Sequence, residues 1–87
     1  MNKKFESGLK KRKKVLGDDY VNQSFENANS FNKPFQEFLT ETYWGGVWDR
    51  NEIDDKTKSI VTLSVLIALR AEHEIAIHTK GALNNGV

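Results

Sequence analysis

Two side chains near the end of this 87-residue chain have the types and the spacing of a proton-transfer pair. Glu74 precedes His78 by four residues, about one turn of an α-helix, so its carboxylate can reach the imidazole. We expect the carboxylate to hydrogen-bond the imidazole, hold its tautomer and raise its pKa. Such a pair can transfer protons in a reaction. The spacing alone favours a simpler interpretation, in which His78 is a core histidine satisfied by a nearby carboxylate.

The same stretch also contains His73, which makes a zinc site worth testing. A zinc-binding helix places its two histidines four residues apart on one face. His73 and His78 are five residues apart, so they diverge by about 140° around a helix of 3.6 residues per turn. The sequence therefore predicts no metal site, and we expect His73 to be solvated.

A second group of residues could bind a planar ligand. Trp44 and Trp48 are four residues apart, and Arg50 follows them closely. Aromatic walls beside a guanidinium suit a planar carboxylated molecule, because arginine binds a carboxylate through two parallel hydrogen bonds. The commoner use of large aromatic side chains is as anchors of a core or an interface, and that alternative stays open.

Positive charge is concentrated at the start of the chain, although the net charge is only +1. Residues 1–17 hold seven Lys or Arg and one Glu, including the unbroken basic run from Lys10 to Lys14. A basic run can follow a phosphate backbone. This one has no interleaved aromatic residues and no nucleic-acid recognition motif, so we expect a solvated helix face and no nucleic-acid partner.

The spacing of apolar residues predicts an all-α chain of about five helices. Gly45 and Gly46 are expected to weaken any helix around them and to let the backbone approach a neighbour or a ligand. The predicted helices cover residues 3–16 with Gly17 as the C-terminal stop, Asp18 to about Ala28, Pro34 to about Tyr43, Asp54 or Asp55 to Leu69, and Glu72 to Asn84.

Composition sets further limits on the class of protein. The chain has no cysteine, so disulfides and thiolate metal sites are excluded. Its longest apolar stretch, residues 60–69, is shorter than the roughly 20 residues that span a bilayer. With no secretory signal visible, we expect a cytoplasmic protein without a membrane partner. Because residues 60–69 are apolar almost all round, we also expect a second subunit to cover part of that helix.

The order of short motifs along the chain resembles the carboxymuconolactone decarboxylase family, a branch of the alkylhydroperoxidase D-like superfamily. The similarity runs from about Gly8 to Val87, and no single piece of it is diagnostic. The matching pieces are Val15-Leu16-Gly17, Tyr20-Val21, Phe31-Asn32, Pro34 to Phe38, Trp44-Gly45, Val47-Trp48 with Arg50, Lys56-Thr57 with Ser59, Glu74 with His78, and Ala82 with Asn84 to Gly86.

The resemblance implies an alkylhydroperoxidase D-like helical domain that assembles into trimers or hexamers. The peroxidase relatives carry a Cys-x-x-Cys pair at positions that match Ala71 and Glu74, so the resemblance excludes disulfide-based peroxidase chemistry here. The family pattern continues with about two further helices beyond Val87. We therefore expect residues 1–87 to form a single, incomplete domain that lacks the usual C-terminal helices.

The activity that the resemblance implies is decarboxylation without a cofactor. The family's substrate, 4-carboxymuconolactone, loses carbon dioxide and becomes the 3-oxoadipate enol-lactone of aromatic-acid breakdown. An enzyme for this reaction must stabilise a developing oxyanion and protonate carbon. By this resemblance, His78 is the proton donor and Glu74 orients it.

The resemblance also implies how the substrate is held. Arg50 and Lys58 would bind its carboxylates, while Trp44 and Trp48 would shape the pocket. Lys58 stands where many relatives have arginine, and lysine cannot form the planar two-bond clamp. The alternative is a helical oligomerisation module, or an inactive fragment, that keeps the scaffold without the activity.

Overall fold

The computed structural model describes residues 2–87, and within them it contains α-helices, one π-helix and no strand. The predicted all-α class is confirmed. The first, fourth and last predicted helices have the observed bounds, whereas the second ends at Glu26 and the third continues beyond Tyr43 to Trp48. The elements are α1 (Lys3–Leu16), α2 (Asp18–Glu26), α3 (Lys33–Leu39), the π-helix (Thr40–Trp48), α4 (Asp55–Leu69) and α5 (Glu72–Asn84).

The helix ends follow from their capping residues. Gly17 has a φ of 96°, which favours glycine, and its N–H donates to the carbonyl of Lys13 at the end of α1. At the start of α4, the side chain of Asp54 accepts a hydrogen bond of 2.8 Å from the N–H of Thr57. Both caps were predicted from the sequence, because each residue type satisfies a backbone group that a helix end leaves unpaired.

The segment around Gly45 and Gly46 is helical, but it is a π-helix and not an α-helix. α3 runs directly into the π-helix, which continues through both glycines to Trp48. At its end the N–H of Asp49 donates to the carbonyl of Trp44, five residues earlier, at 3.0 Å. The chain thus widens its helical turn at the glycines, and the expectation that they weaken the helix stays a prediction.

Two glycines let α1 and the π-helix approach closely. A Cβ atom on Gly8 would lie 2.1 Å from the carbonyl oxygen of Thr40, and one on Gly45 would lie 2.3 Å from that of Lys4. Neither distance is compatible with a side chain, so both positions require glycine. The prediction that the glycine pair permits a close backbone approach is confirmed, and the partner is α1.

The chain divides into two compact units, which are described separately: unit 1 ends at Arg50 and unit 2 comprises Asn51–Val87. The buried apolar side chains of unit 1 come from α1, α2 and the π-helix. They are Phe5, Val15, Leu16, Val21, Trp44 and Trp48.

Unit 2 consists of α4 packed on α5. Ser59 and Ala82 are buried, and the side-chain amide of Asn85 donates a hydrogen bond of 2.9 Å to the Ser59 hydroxyl. Within residues 2–87 much of the apolar surface of α4 is exposed. The expected second subunit that would cover part of this helix stays a prediction. Its exposed apolar residues are Ile60, Val61, Val65, Ile67 and Leu69. Among residues 2–87, no helix is both long and apolar enough to cross a membrane.

Candidate functional site

His78 lies on the inner side of α5, as its spacing predicts. Ala71, Ile75, His78 and Ala82 share this face and are all at least partly shielded from solvent. The His78 side chain is only 12% exposed, whereas that of Glu74 is 52% exposed. α5 therefore holds a largely buried imidazole next to a solvated carboxylate.

The charge state of His78 is determined by two opposing effects. Burial lowers its pKa below the ordinary 6.5, since a charged imidazolium loses hydration, and the nearby Glu74 carboxylate raises it by a smaller amount. The predicted net rise in pKa was therefore wrong, because burial has the larger effect. His78 Nε2 and Glu74 Oε2 are 3.9 Å apart, an ion-pair distance that is longer than the predicted hydrogen bond. Glu74 thus acts on this nitrogen through its charge.

Lys58, predicted to bind a carboxylate, lies near the start of α4. Its ammonium is 3.6 Å from Asp55 Oδ1, one turn earlier on the same helix, and its side chain is 11% exposed. Lys58 thus carries an internal carboxylate partner that a substrate carboxylate would have to share or replace. Its predicted binding role stays a prediction.

Trp44 and Trp48 form a stacked pair inside unit 1. Their ring centroids are 5.0 Å apart with an angle of 28° between the ring planes, and each residue is 2% exposed. Tyr43 meets Trp44 edge-on at 5.3 Å. This arrangement is typical of core anchors, the alternative that the sequence left open. Their role in shaping a pocket stays a prediction.

Arg50 ends unit 1, immediately beyond the π-helix. Its N–H donates to the carbonyl of Val47 at 3.3 Å, and its side chain is exposed. The structure thus brings Glu74 and His78 together, and it stacks Trp44 on Trp48. Arg50 belongs to a different unit from Lys58 and His78.

Comparisons with known proteins identify the family. The profile of the carboxymuconolactone decarboxylase family matches residues 33–87, which is more than half of the chain. This chain belongs to the carboxymuconolactone decarboxylase family. No solved structure gives a significant match.

Two curated relatives of this family member cover nearly its whole length. A nitrosuccinic acid decarboxylase from Metarhizium robertsii is 47% identical over 83 residues, or 95% of this chain and 58% of that protein. A 4-carboxymuconolactone decarboxylase from Acinetobacter baylyi is 44% identical over 84 residues, or 97% of this chain and 63% of that protein. The chain thus spans less than two thirds of the length of either relative.

The matched region of this carboxymuconolactone decarboxylase family member contains all six candidate site residues, from Trp44 to His78. Among residues 2–87 there is no group of three or more His, Cys, Asp and Glu side chains that could hold a metal ion. A groove of about 420 Å³ lies along the basic side of α1. Its lining residues are Ser7, Lys10, Lys11, Lys14 and Asp49.

The burial of Arg12 was not predicted from the sequence. This residue was predicted to be part of a solvated basic face, but it is 3% exposed. Its Nη1 donates a hydrogen bond of 3.0 Å to the hydroxyl of Thr40, and its guanidinium lies 5.7 Å from the ring centroid of Phe25. The signal was present in the spacing, since Arg12 shares a helical face with Phe5, Val15 and Leu16.

Proposed function

We propose that this protein is a decarboxylase that acts without a cofactor on a dicarboxylate of the 4-carboxymuconolactone type. The observation that carries the proposal is the near full-length similarity of the chain to two decarboxylases. The shielded His78 beside Glu74 supports it, because the reaction needs a group that delivers a proton to carbon.

The proposed reaction needs no external electron acceptor. When the carboxylate leaves as carbon dioxide, the electron pair of its carbon–carbon bond passes through the unsaturated ring onto the lactone carbonyl oxygen. The resulting dienolate then takes a proton at carbon and becomes the enol-lactone. The protein has to hold two carboxylates, stabilise the oxyanion and supply that proton.

In this proposal His78 supplies the proton and Glu74 supports it electrostatically. The protonated imidazole is a stronger proton donor than the neutral one. Because burial lowers the pKa of His78, a smaller fraction of the protein carries the protonated form. The Glu74 carboxylate partly restores the protonated fraction, because its negative charge favours the imidazolium. Shielding from solvent also limits the competition of water for the reactive carbanion.

Arg50 and Lys58 are the proposed carboxylate-binding residues. Arg50 can form a two-bond clamp, while Lys58 offers a single point charge that is already 3.6 Å from Asp55. Trp44 and Trp48, which stack on each other in the π-helix that precedes Arg50, would shape the pocket.

A second candidate substrate is nitrosuccinic acid, the compound named for the Metarhizium robertsii relative that is 47% identical to this chain. It also carries two carboxylates, one of them on the carbon that bears the nitro group. Loss of that carboxylate sends its electron pair onto the nitro oxygens, and the carbon is protonated afterwards. The proposed proton donor, His78, therefore suits either substrate.

We also propose that the protein forms a homo-oligomer of the trimer or hexamer type. The exposed apolar side chains of α4 support this, since Leu69 is 71% exposed and its apolar neighbours Val65 and Ile67 are also exposed. Such surfaces usually mark sites of association. A non-catalytic oligomerisation module would have the same surface but no turnover.

The experiment that tests the proposed substrate class measures carbon dioxide release from each compound by the purified chain. We expect one of the two to be decarboxylated with a clearly higher kcat/KM, and a monocarboxylate analogue to be a much poorer substrate. Failure to release carbon dioxide from either compound by a folded protein would reject the decarboxylase proposal for this chain in favour of the alternative, an oligomerisation module or an inactive fragment.

A further inference from the structure

The π-helix is an unusual element that needs support from outside itself. π-helices are rare and mostly a single turn long, whereas this one spans nine residues, Thr40–Trp48. The same nine residues could also form an ordinary α-helix, which is a competing conformation. We therefore expect contacts at the start of the π-helix to determine which helical form residues 40–48 adopt.

Arg12 makes such a contact at the first π-helical residue. Its Nη1 donates to Thr40 Oγ1 at 3.0 Å, and Thr40 Oγ1 in turn donates to the carbonyl of Gln36 at 2.8 Å. Thr40 is fully buried, so water cannot substitute for the guanidinium there. A buried hydrogen-bonding group is costly to leave unpaired, which makes the contact sensitive to mutation.

Arg12 is itself fixed by a third element. Its guanidinium lies 5.7 Å from the centre of the Phe25 ring on α2, within the range of a cation–π interaction. One side chain on α1 therefore contacts both α2 and the point where α3 becomes the π-helix. Gly8 of α1 also packs closely against the carbonyl oxygen of Thr40, so the backbone of Thr40 is constrained as well as its side chain.

We infer that Arg12 is a positioning residue: through Thr40 it holds the π-helical form of residues 40–48 and thereby the stacking of Trp44 on Trp48. The inference does not rest on the proposed decarboxylation. It assigns a function to a buried cation that the proposed reaction leaves unused.

The stacked tryptophans provide a direct signal for the test. Two indole rings 5.0 Å apart and inclined by 28° couple their electronic transitions, which gives a pair of circular dichroism bands of opposite sign. A Trp48→Phe variant lacks the pair and so identifies these bands. The variants to compare are R12M, R12K, T40V and T40S, with K13M as the matched control on the same helix.

We expect R12M and T40V to weaken the coupled bands while the helical signal persists, since the loss of one hydrogen bond shifts the equilibrium between the π-helical and α-helical forms about five-fold towards the α-helix. T40S should keep the bands because it retains the hydroxyl, R12K should keep only part of them, and K13M should leave them unchanged. The R12M/T40V double variant should lose no more than either single variant.

Undiminished bands in R12M, or an equal loss in K13M, would overturn the inference. If R12M fails to fold, T40V decides the matter, because valine matches threonine in shape and Thr40 is the group through which Arg12 is inferred to act. Full coupled bands in a folded T40V would then overturn it.

Discussion

At the scale of single residues, His78 is the group whose environment matters most to the proposed chemistry. Its burial lowers its pKa below 6.5, and the charge of Glu74 opposes that change without reversing it. The two residues therefore influence each other mainly through charge across 3.9 Å. Removing either effect, the burial of the imidazole or the charge of Glu74, should change the pKa of His78 in a defined direction.

We expect E74Q to lower the pKa of His78 further, because it removes the carboxylate that favours the imidazolium. The titration of the His78 ring proton by NMR measures this shift, and H73Q identifies which histidine signal is which. A rise in the pKa of His78 in E74Q would contradict the electrostatic account.

The same lowered pKa has a consequence for stability. Between the folded-state pKa and about 6.5, the unfolded chain binds more protons at this residue than the folded chain, so stability increases with pH through that window. In H78Q this contribution to the pH dependence of the urea midpoint should disappear.

The sequence shows which residues face inward more readily than it shows their charge states. The inward position of His78 follows from helical spacing, as does the nearness of Glu74. The direction of the pKa change does not, because it depends on how completely neighbouring groups exclude water from the ring. The burial of Arg12 was not predicted, because the residue lies in a run of lysines that was assigned to a solvated face. Its spacing nevertheless places it on the apolar face of α1.

At the scale of elements, the contact between α1 and the π-helix depends on two glycines. Helix starts and ends could be predicted from Gly17, Pro34 and Asp54, because capping is a local property. The π-helix could not, since its wider turn arises from packing against α1 that no local pattern records.

We expect G8A to destabilise unit 1 by about 3 kcal/mol or more, because its Cβ would lie 2.1 Å from a backbone oxygen that cannot move aside easily. G46A is the matched control. A Cβ there meets only the end of the flexible Lys4 side chain at 3.3 Å, so the change should be close to neutral. Urea unfolding measures both values, and equal destabilisation by the two variants would contradict the packing described here.

At the scale of the whole molecule, α4 has an apolar surface that residues 2–87 leave exposed. The sequence predicted a helix apolar on nearly all sides, and the structure shows Val61, Val65 and Ile67 each more than half exposed. The proposed homo-oligomer would bury these side chains.

We expect I67K to weaken self-association at least about ten-fold, since placing a charge in an apolar interface costs more than the 1.4 kcal/mol that a factor of ten represents. Sedimentation over a range of concentrations measures the effect. N22K introduces the same side chain at an exposed position of α2 and should leave association unchanged. A monomeric wild-type protein at all concentrations would reject the oligomer proposal.

The most direct test of the central claim is the turnover of 4-carboxymuconolactone by the purified chain, compared with its H78Q and H73Q variants. We predict carbon dioxide release by the wild type and by H73Q, and a loss of about 10²-fold or more in H78Q, the usual contribution of a positioned acid. Full turnover by a folded H78Q would contradict the role of His78. An inactive wild-type protein would contradict the proposed activity on this substrate.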